Sequence, residues 1–175
     1  MGNPAKMIDR DGAPLPLEGF KFVMDINVKG TVDLVRQLLP IMTKNKAENG
    51  DADTERGVVV MVSSVAAFDG QPGQVSYAAS KGAVASMTLP MARDLAPYGI
   101  RVVTIAPGVF ASRMTDMMSS KVKKSLEGVM QWPKRMGGAD EFAHLVRTVL
   151  ENKMLNAEVI RLDGGIRMPA MFPKL

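Results

Sequence analysis

Three short apolar runs constrain this chain most: VVVMV at 58–62, RVVTI at 101–105 and EVIRL at 158–162. Each is rich in β-branched residues and bounded by turn-forming or polar sequence, so each reads as a strand; the first two read as strands buried on both faces. A helical pattern precedes every one of them. Residues 17–42 repeat Phe20, Met24, Val28, Val32, Val35 and Leu39 at spacings of three and four, with Gly30 and Pro40 as weak points. Residues 75–96 form a second helix, with Ser76 near its start, Pro90 expected to kink it and Gly99 placed to end it. Residues 140–151 form a third, with Phe142, Leu145, Val146, Val149 and Leu150 on one face. Helix and strand in alternation predict an α/β fold with a parallel sheet covered on both faces. Three strands supply only half of a doubly wound sheet, which is built from two βαβαβ halves. No internal repeat and no linker marks the other half, so residues 1–175 read as one partial domain.

The connecting segments are informative in part. Residues 43–57 are polar and read as a solvated loop, and DGQPGQ at 69–74 reads as a turn. Residues 111–138 mix Met114, Met117, Met118, Met130 and Met136 with short polar stretches, which predicts a helical, mobile flap over a ligand. Asp163-Gly164-Gly165 closes the last strand as a turn with structural duties.

Composition excludes several classes of chemistry. The chain has no cysteine, so disulfides, thiolate metal sites and cysteine nucleophiles are absent, and its single His144 falls off the apolar stripe of its helix. No metal site is expected. The net charge of +4 is small for 175 residues, and Lys and Arg form no stripe, which argues against nucleic acid as a partner. No apolar run approaches the ~20 residues of a membrane span, and the first residues lack the apolar stretch of a signal peptide. A cytoplasmic protein is expected, with the mitochondrial matrix as the eukaryotic alternative. No two glycines are separated by a single residue and none is followed by lysine, so the chain contains neither GxGxxG nor a P-loop.

Tyr77-Ala-Ala-Ser-Lys81 puts a phenol and an ammonium four residues apart, on one face of a helix. A free phenol titrates near 10, and a cation beside it favours the phenolate that a proton-transfer group needs. On its own the spacing is a weak signal and fits a surface Tyr-Lys pair better. Position separates the two readings: the helix follows a strand that ends in Ser63-Ser64, and the carboxyl ends of strands are where an open α/β sheet places its chemistry. A serine there can donate a hydrogen bond to a substrate carbonyl. Asn27 interrupts an otherwise apolar helix face and reads either as an interior polar group or as a solvated one.

Asn27-Val-Lys-Gly30, VVVMVSS at 58–64, Tyr77-Ala-Ala-Ser-Lys81, Pro107-Gly108 after a strand and Asp163-Gly164-Gly165 after the last strand, in this order, resemble the short-chain dehydrogenase/reductase family. Within it, residues 63–110 and 158–169 are similar to the type-2 3-hydroxyacyl-CoA dehydrogenase, or hydroxysteroid dehydrogenase, branch. The resemblance implies the C-terminal portion of a Rossmann-like sheet and hydride transfer between a nicotinamide cofactor, NAD with NADP as the open alternative, and a secondary alcohol or ketone. Tyr77 would be the general base or acid, Lys81 would lower its pKa and hold the nicotinamide ribose, and Ser64 would polarise the substrate oxygen. Asn27 would anchor a water that links Lys81 to solvent. Pro107, Gly108, Val109, Phe110 and Ser112 would line the nicotinamide, Ser112 standing where relatives often carry threonine. The substrate would be an acyl chain or steroid against the flap, with Lys121, Lys123, Lys124, Lys134 and Arg135 available to coenzyme A phosphates or simply solvated.

The strand, glycine-rich turn and helix with which relatives begin, and the residue that selects NAD or NADP, have no counterpart in this sequence. The expectation is a chain lacking the first βαβ half, with 58–62 as an exposed sheet edge, marginal stability, weak cofactor binding and little turnover by itself. A homodimer or homotetramer is the family assembly. A non-catalytic relative acting through its dimerisation helices is the alternative. A serine hydrolase is disfavoured by the lack of a GxSxG elbow.

Overall fold

The computed structural model describes residues 4–46, 55–116 and 118–170. Part of the polar loop expected at 43–57 therefore lies outside the described residues.

The helix expected over 17–42 forms with a change of winding at its centre. α1 (Leu17–Met24) passes into a π-helical turn at Asp25–Lys29 and then into α2 (Gly30–Met42). The Gly30 N–H reaches back to the Asp25 carbonyl, the five-residue step that defines a π turn, and such single turns recur where a side chain is re-aimed at a functional site. Phe20, Met24, Val28, Val32, Val35 and Leu39 are all half-buried, as their spacing requires. A second apolar face, with Phe22, Ile26, Leu34, Leu38 and Ile41 exposed, is left open to solvent.

β1 (Gly57–Val62), β2 (Ile100–Pro107) and β3 (Val159–Leu162) make a parallel sheet in the order β1-β2-β3. Gly57 lies opposite Ile100 and Thr104 opposite Val159. Only β2 is buried along its length, from Ile100 to Ala106. Contrary to the expectation from its apolar run, β1 is half-buried, with Met61 its one buried residue and Val62 45% exposed. The physical reason is topological: among the described residues β1 pairs with β2 alone, so its other side is an edge.

The helix expected over 75–96 is two helices. α3 (Val75–Ser86) and α4 (Thr88–Leu95) meet at Met87, one turn before Pro90. Pro90 has no N–H to offer the Ser86 carbonyl and its ring crowds that carbonyl, so the rod breaks upstream of the proline. A 3₁₀ turn follows, and Gly99 ends it in the left-handed region at φ 66°, the conformation for which glycine is favoured. Residues 111–138 carry α5 (Arg113–Asp116) and α6 (Ser120–Gly128), then run without helix to a bridge between Phe110 and Gly137.

α7 (Ala139–Glu151) completes the set. Val149 is buried as expected, whereas Leu150 is half exposed and His144 exposed. The core splits by alternation along β2. Val102 packs with Met61, Val84, Ala92 and Leu95, and Thr104 shares a buried hydroxyl contact of 2.6 Å with Thr88. From the other face, Arg101 reaches the C-terminal carbonyls of α7.

The start of α7 holds a charge cluster with a defined pH dependence. Glu141 accepts from the Gly138 N–H at 2.7 Å and from both terminal nitrogens of Arg135 at 2.8 and 2.9 Å. The Arg135 guanidinium, then the Gly138 N–H, hold its carboxyl down to about 2. Because the folded value lies below the ordinary 4.5, the stabilisation is complete above that value and is lost as pH falls through about 2. Thermal midpoints measured from pH 5 down to pH 2 should fall more steeply for the wild type than for Glu141→Gln. Parallel curves would show that the cluster contributes nothing.

Candidate active site

The three strands end on the same side of the sheet, and the groups singled out in the sequence gather beyond those ends. Ser64 follows β1 and opens a 3₁₀ turn at Val65–Ala67, its Oγ accepting from the Ala66 N–H at 3.1 Å. Ser63, 2% exposed, turns the other way and donates to the Lys81 carbonyl at 2.7 Å, pinning α3 to the end of β1. Lys81 returns the contact: its Nζ donates to the Val62 carbonyl at 2.8 Å and lies 5.9 Å from the centre of the Tyr77 ring. The four-residue spacing thus delivers the adjacency it promised. Burial pushes the Lys81 ammonium below its ordinary value, so its charge is held against a desolvation cost.

Ser64, Tyr77, Lys81, Pro107, Gly108, Val109, Phe110 and Ser112 all line one cavity of about 510 Å³. Gly108 is fixed by its N–H to the Leu162 carbonyl, and a Cβ there would fall 2.9 Å from Asp163 Cα, so no larger residue fits the junction of β2 with the Asp163 turn. The Ser112 N–H donates to the Thr115 hydroxyl at 2.8 Å, and that hydroxyl bonds the Phe110 carbonyl at 3.1 Å. Thr115 therefore sets the shape of this wall. The flap contributes Met118, Val122 and Leu126, and Phe142 meets Phe110 edge-on at 5.8 Å.

Asn27 does not line the cavity. Its carboxamide donates to Ser80 Oγ at 3.0 Å, and Ser80, fully buried, donates in turn to the Tyr77 carbonyl at 2.8 Å. The π turn is what aims Asn27 at α3. Of the cations considered for phosphate contact, Arg135 is paired with Glu141, Lys134 donates to the Met130 carbonyl at 3.2 Å, and Lys123 stands 3.8 Å from Asp116.

Sequence reasoning passed over Ser63, Ser80 and Thr115. The first two sit inside motifs already singled out, VSS and YAASK; strand alternation from Met61 turns Ser63 inward, and the four-residue helical step from Val84 turns Ser80 inward. Thr115 carries no such signal. Among the described residues no group of three or more His, Asp or Glu could hold a metal ion.

The family model of the short chain dehydrogenases matches residues 6–123. The chain belongs to the short-chain dehydrogenase family. As a short-chain dehydrogenase it is 50% identical over 152 residues to the 3-hydroxyacyl-CoA dehydrogenase type-2 of Rattus norvegicus, covering 87% of this chain and 57% of that relative. It is 47% identical over 159 residues to the protein of that name from Homo sapiens, covering 91% and 60%. A crystal structure of the 3-hydroxyacyl-CoA dehydrogenase type-2 from Mycobacterium avium superposes with a TM-score of 0.92 at 35% identity, covering 98% of this chain and 65% of that one. The chain thus spans a little over half the length of the curated relatives it matches. Among the described residues no helix is long and apolar enough to cross a membrane.

Proposed function

We propose that the chain carries the catalytic end of a nicotinamide-dependent oxidoreductase that interconverts a secondary alcohol and a ketone. The substrate class is a 3-hydroxyacyl thioester of coenzyme A, following the names of its relatives, or a related hydroxy lipid or steroid, as the sequence resemblance implies. The observation that carries this reading is the convergence of Ser64, Tyr77 and Lys81 on one cavity with the 107–112 wall. A phenol, an ammonium and a hydroxyl beside an apolar wall suit the nicotinamide and ribose end of the cofactor, for which NAD is preferred over NADP. When bound, that group accepts or gives a hydride.

Tyr77 takes the alcohol proton in oxidation and returns one to the oxyanion in reduction. Lys81, oriented by the Val62 carbonyl, supplies positive charge beside the phenol and a donor to the ribose. Ser64 donates to the substrate oxygen as negative charge builds on it. Asn27 is assigned the water that joins Lys81 to solvent, its place next to the Tyr77 turn supporting that role. The half-enclosed apolar side, with Met118, Val122 and Leu126, accepts the acyl chain. Assembly as a homodimer or homotetramer belongs to the same reading.

The test is transfer of label. The protein as its source makes it, given a 3-oxoacyl-CoA and NADH deuterated at C4, should yield product carrying deuterium at C3. Absence of both labelled product and saturable NADH binding overturns the proposal. It would leave a second reading, an interaction protein without catalysis, which the open face of Phe22, Ile26, Leu34, Leu38 and Ile41 favours.

A further inference from the structure

Arg161 lies near the end of β3, off the wall of the cavity, yet its guanidinium touches two of the segments that border it. Nε donates to Asp163 Oδ2 at 2.7 Å; a terminal nitrogen donates to Asp69 Oδ2 at 2.5 Å and to the Ile166 carbonyl at 2.9 Å. The same group lies 5.4 Å from the centre of the Phe68 ring. Asp69 ends the turn that begins at Ser64, and its N–H closes that turn on the Val65 carbonyl at 2.8 Å. Asp163 also accepts from the Gly165 N–H at 3.0 Å, which shapes the turn after β3.

Beyond that turn, Ile166 is fully buried and packs with Val65 and Met130, and Met168 lines the cavity. A second tie lies further out, where the Gln71 amide donates to the Pro169 carbonyl at 2.9 Å. Segments 64–71 and 163–169 are therefore clamped together, with Met168 held between the two ties.

We propose that Arg161 is a positioning residue of the substrate end of the cavity. It acts through Asp69 on the turn that aims Ser64, and through Asp163 and Ile166 on the segment that presents Met168. A planar fork with several donors makes these contacts at once, which a lysine ammonium on a flexible stem cannot. The inference rests on reading Ser64 as the group that meets the substrate oxygen. Displacing such a group by about 1 Å costs on the order of a hundredfold in rate.

The test uses Arg161→Met, Arg161→Lys and Asp69→Asn, with two measurements. In hydrogen exchange on the 175-residue chain, Arg161→Met should speed exchange at 65–69 and at 163–168 by about tenfold or more, the worth of one charge-assisted hydrogen bond, with β2 unchanged. Asp69→Asn, which leaves Arg161 paired with Asp163, should speed exchange at 65–69 only, and it carries the comparison if the methionine variant does not fold. In kinetics on the native protein, Arg161→Met should lower kcat for a 3-oxoacyl-CoA by roughly tenfold to a hundredfold with KM for NADH within about twofold, and Arg161→Lys should recover only part of that.

Unchanged exchange at 65–69, an equal loss of protection in β2, or a matching change in the cofactor KM would overturn the proposal. If the wild type transfers no hydride, the functional reading fails, and the exchange measurements still decide whether Arg161 sets the turn.

Discussion

Tyr77→Phe should lower the rate of carbonyl reduction by about 10²- to 10⁴-fold, the range that a positioned general acid supplies, while leaving the fold intact. The two halves of this expectation have separate grounds. Tyr77 lines the cavity with Lys81 beside its ring, and the substitution removes only the phenolic oxygen. Among the described residues no buried side-chain polar atom lacks a partner, and the Ser80 bond that fixes this turn goes to the Tyr77 main chain, which phenylalanine keeps. Single-turnover kinetics should show the loss in the chemical step, and the thermal midpoint should correspond to a change within about 0.5 kcal/mol. A variant that keeps its rate within a few fold would remove Tyr77 from the chemistry.

Arg101→Met should be the most damaging change to stability, at about 3–5 kcal/mol. Arg101 is 6% exposed, although it is the second residue of β2, a strand that otherwise reads as largely apolar. Its guanidinium donates to the carbonyls of Val149 at 2.9 Å, Leu150 at 3.2 Å and Leu155 at 2.6 Å, and pairs with Glu55 at 2.5 Å. These carbonyls belong to the end of α7 and the loop after it, where a helix has no partners of its own to offer. Methionine fills the volume and leaves the carbonyls and a mostly buried carboxylate without a donor. Against a typical domain stability of about 5–15 kcal/mol, that is a large share. Glu55→Gln should cost far less, because Arg101 keeps its carbonyl partners. Urea denaturation of the two variants checks the ranking, and equal midpoints would show that the guanidinium contributes only its bulk.

The contrast between these residues explains what the sequence discloses. The strands were legible because a parallel sheet covered on both faces favours continuous apolar, β-branched runs, and the Tyr77–Lys81 pair because helix periodicity fixes neighbours four apart. Arg101 was not, because its carbonyl partners lie 48 to 54 residues further along the chain and carry no residue code, and its one carboxylate partner, Glu55, lies 46 residues before it. The break at Met87 was legible in cause and misplaced in position, since a proline disturbs the carbonyl one turn before itself. The π turn at Asp25–Lys29 has no compositional mark. It is visible only in the insertion of one extra residue in the winding, which is what brings Asn27 to Ser80.

The half-covered state of β1 bears on the order in which the protein comes apart. Ser64 sits at the end of an edge strand, paired on one side alone among the described residues, whereas the 107–112 wall extends from the central strand. The two sides of the cavity thus rest on foundations of unequal depth. Of these two sides the Ser64 side is the one that frays first, and the Ser63 and Lys81 bonds to α3 are the stitches that delay it.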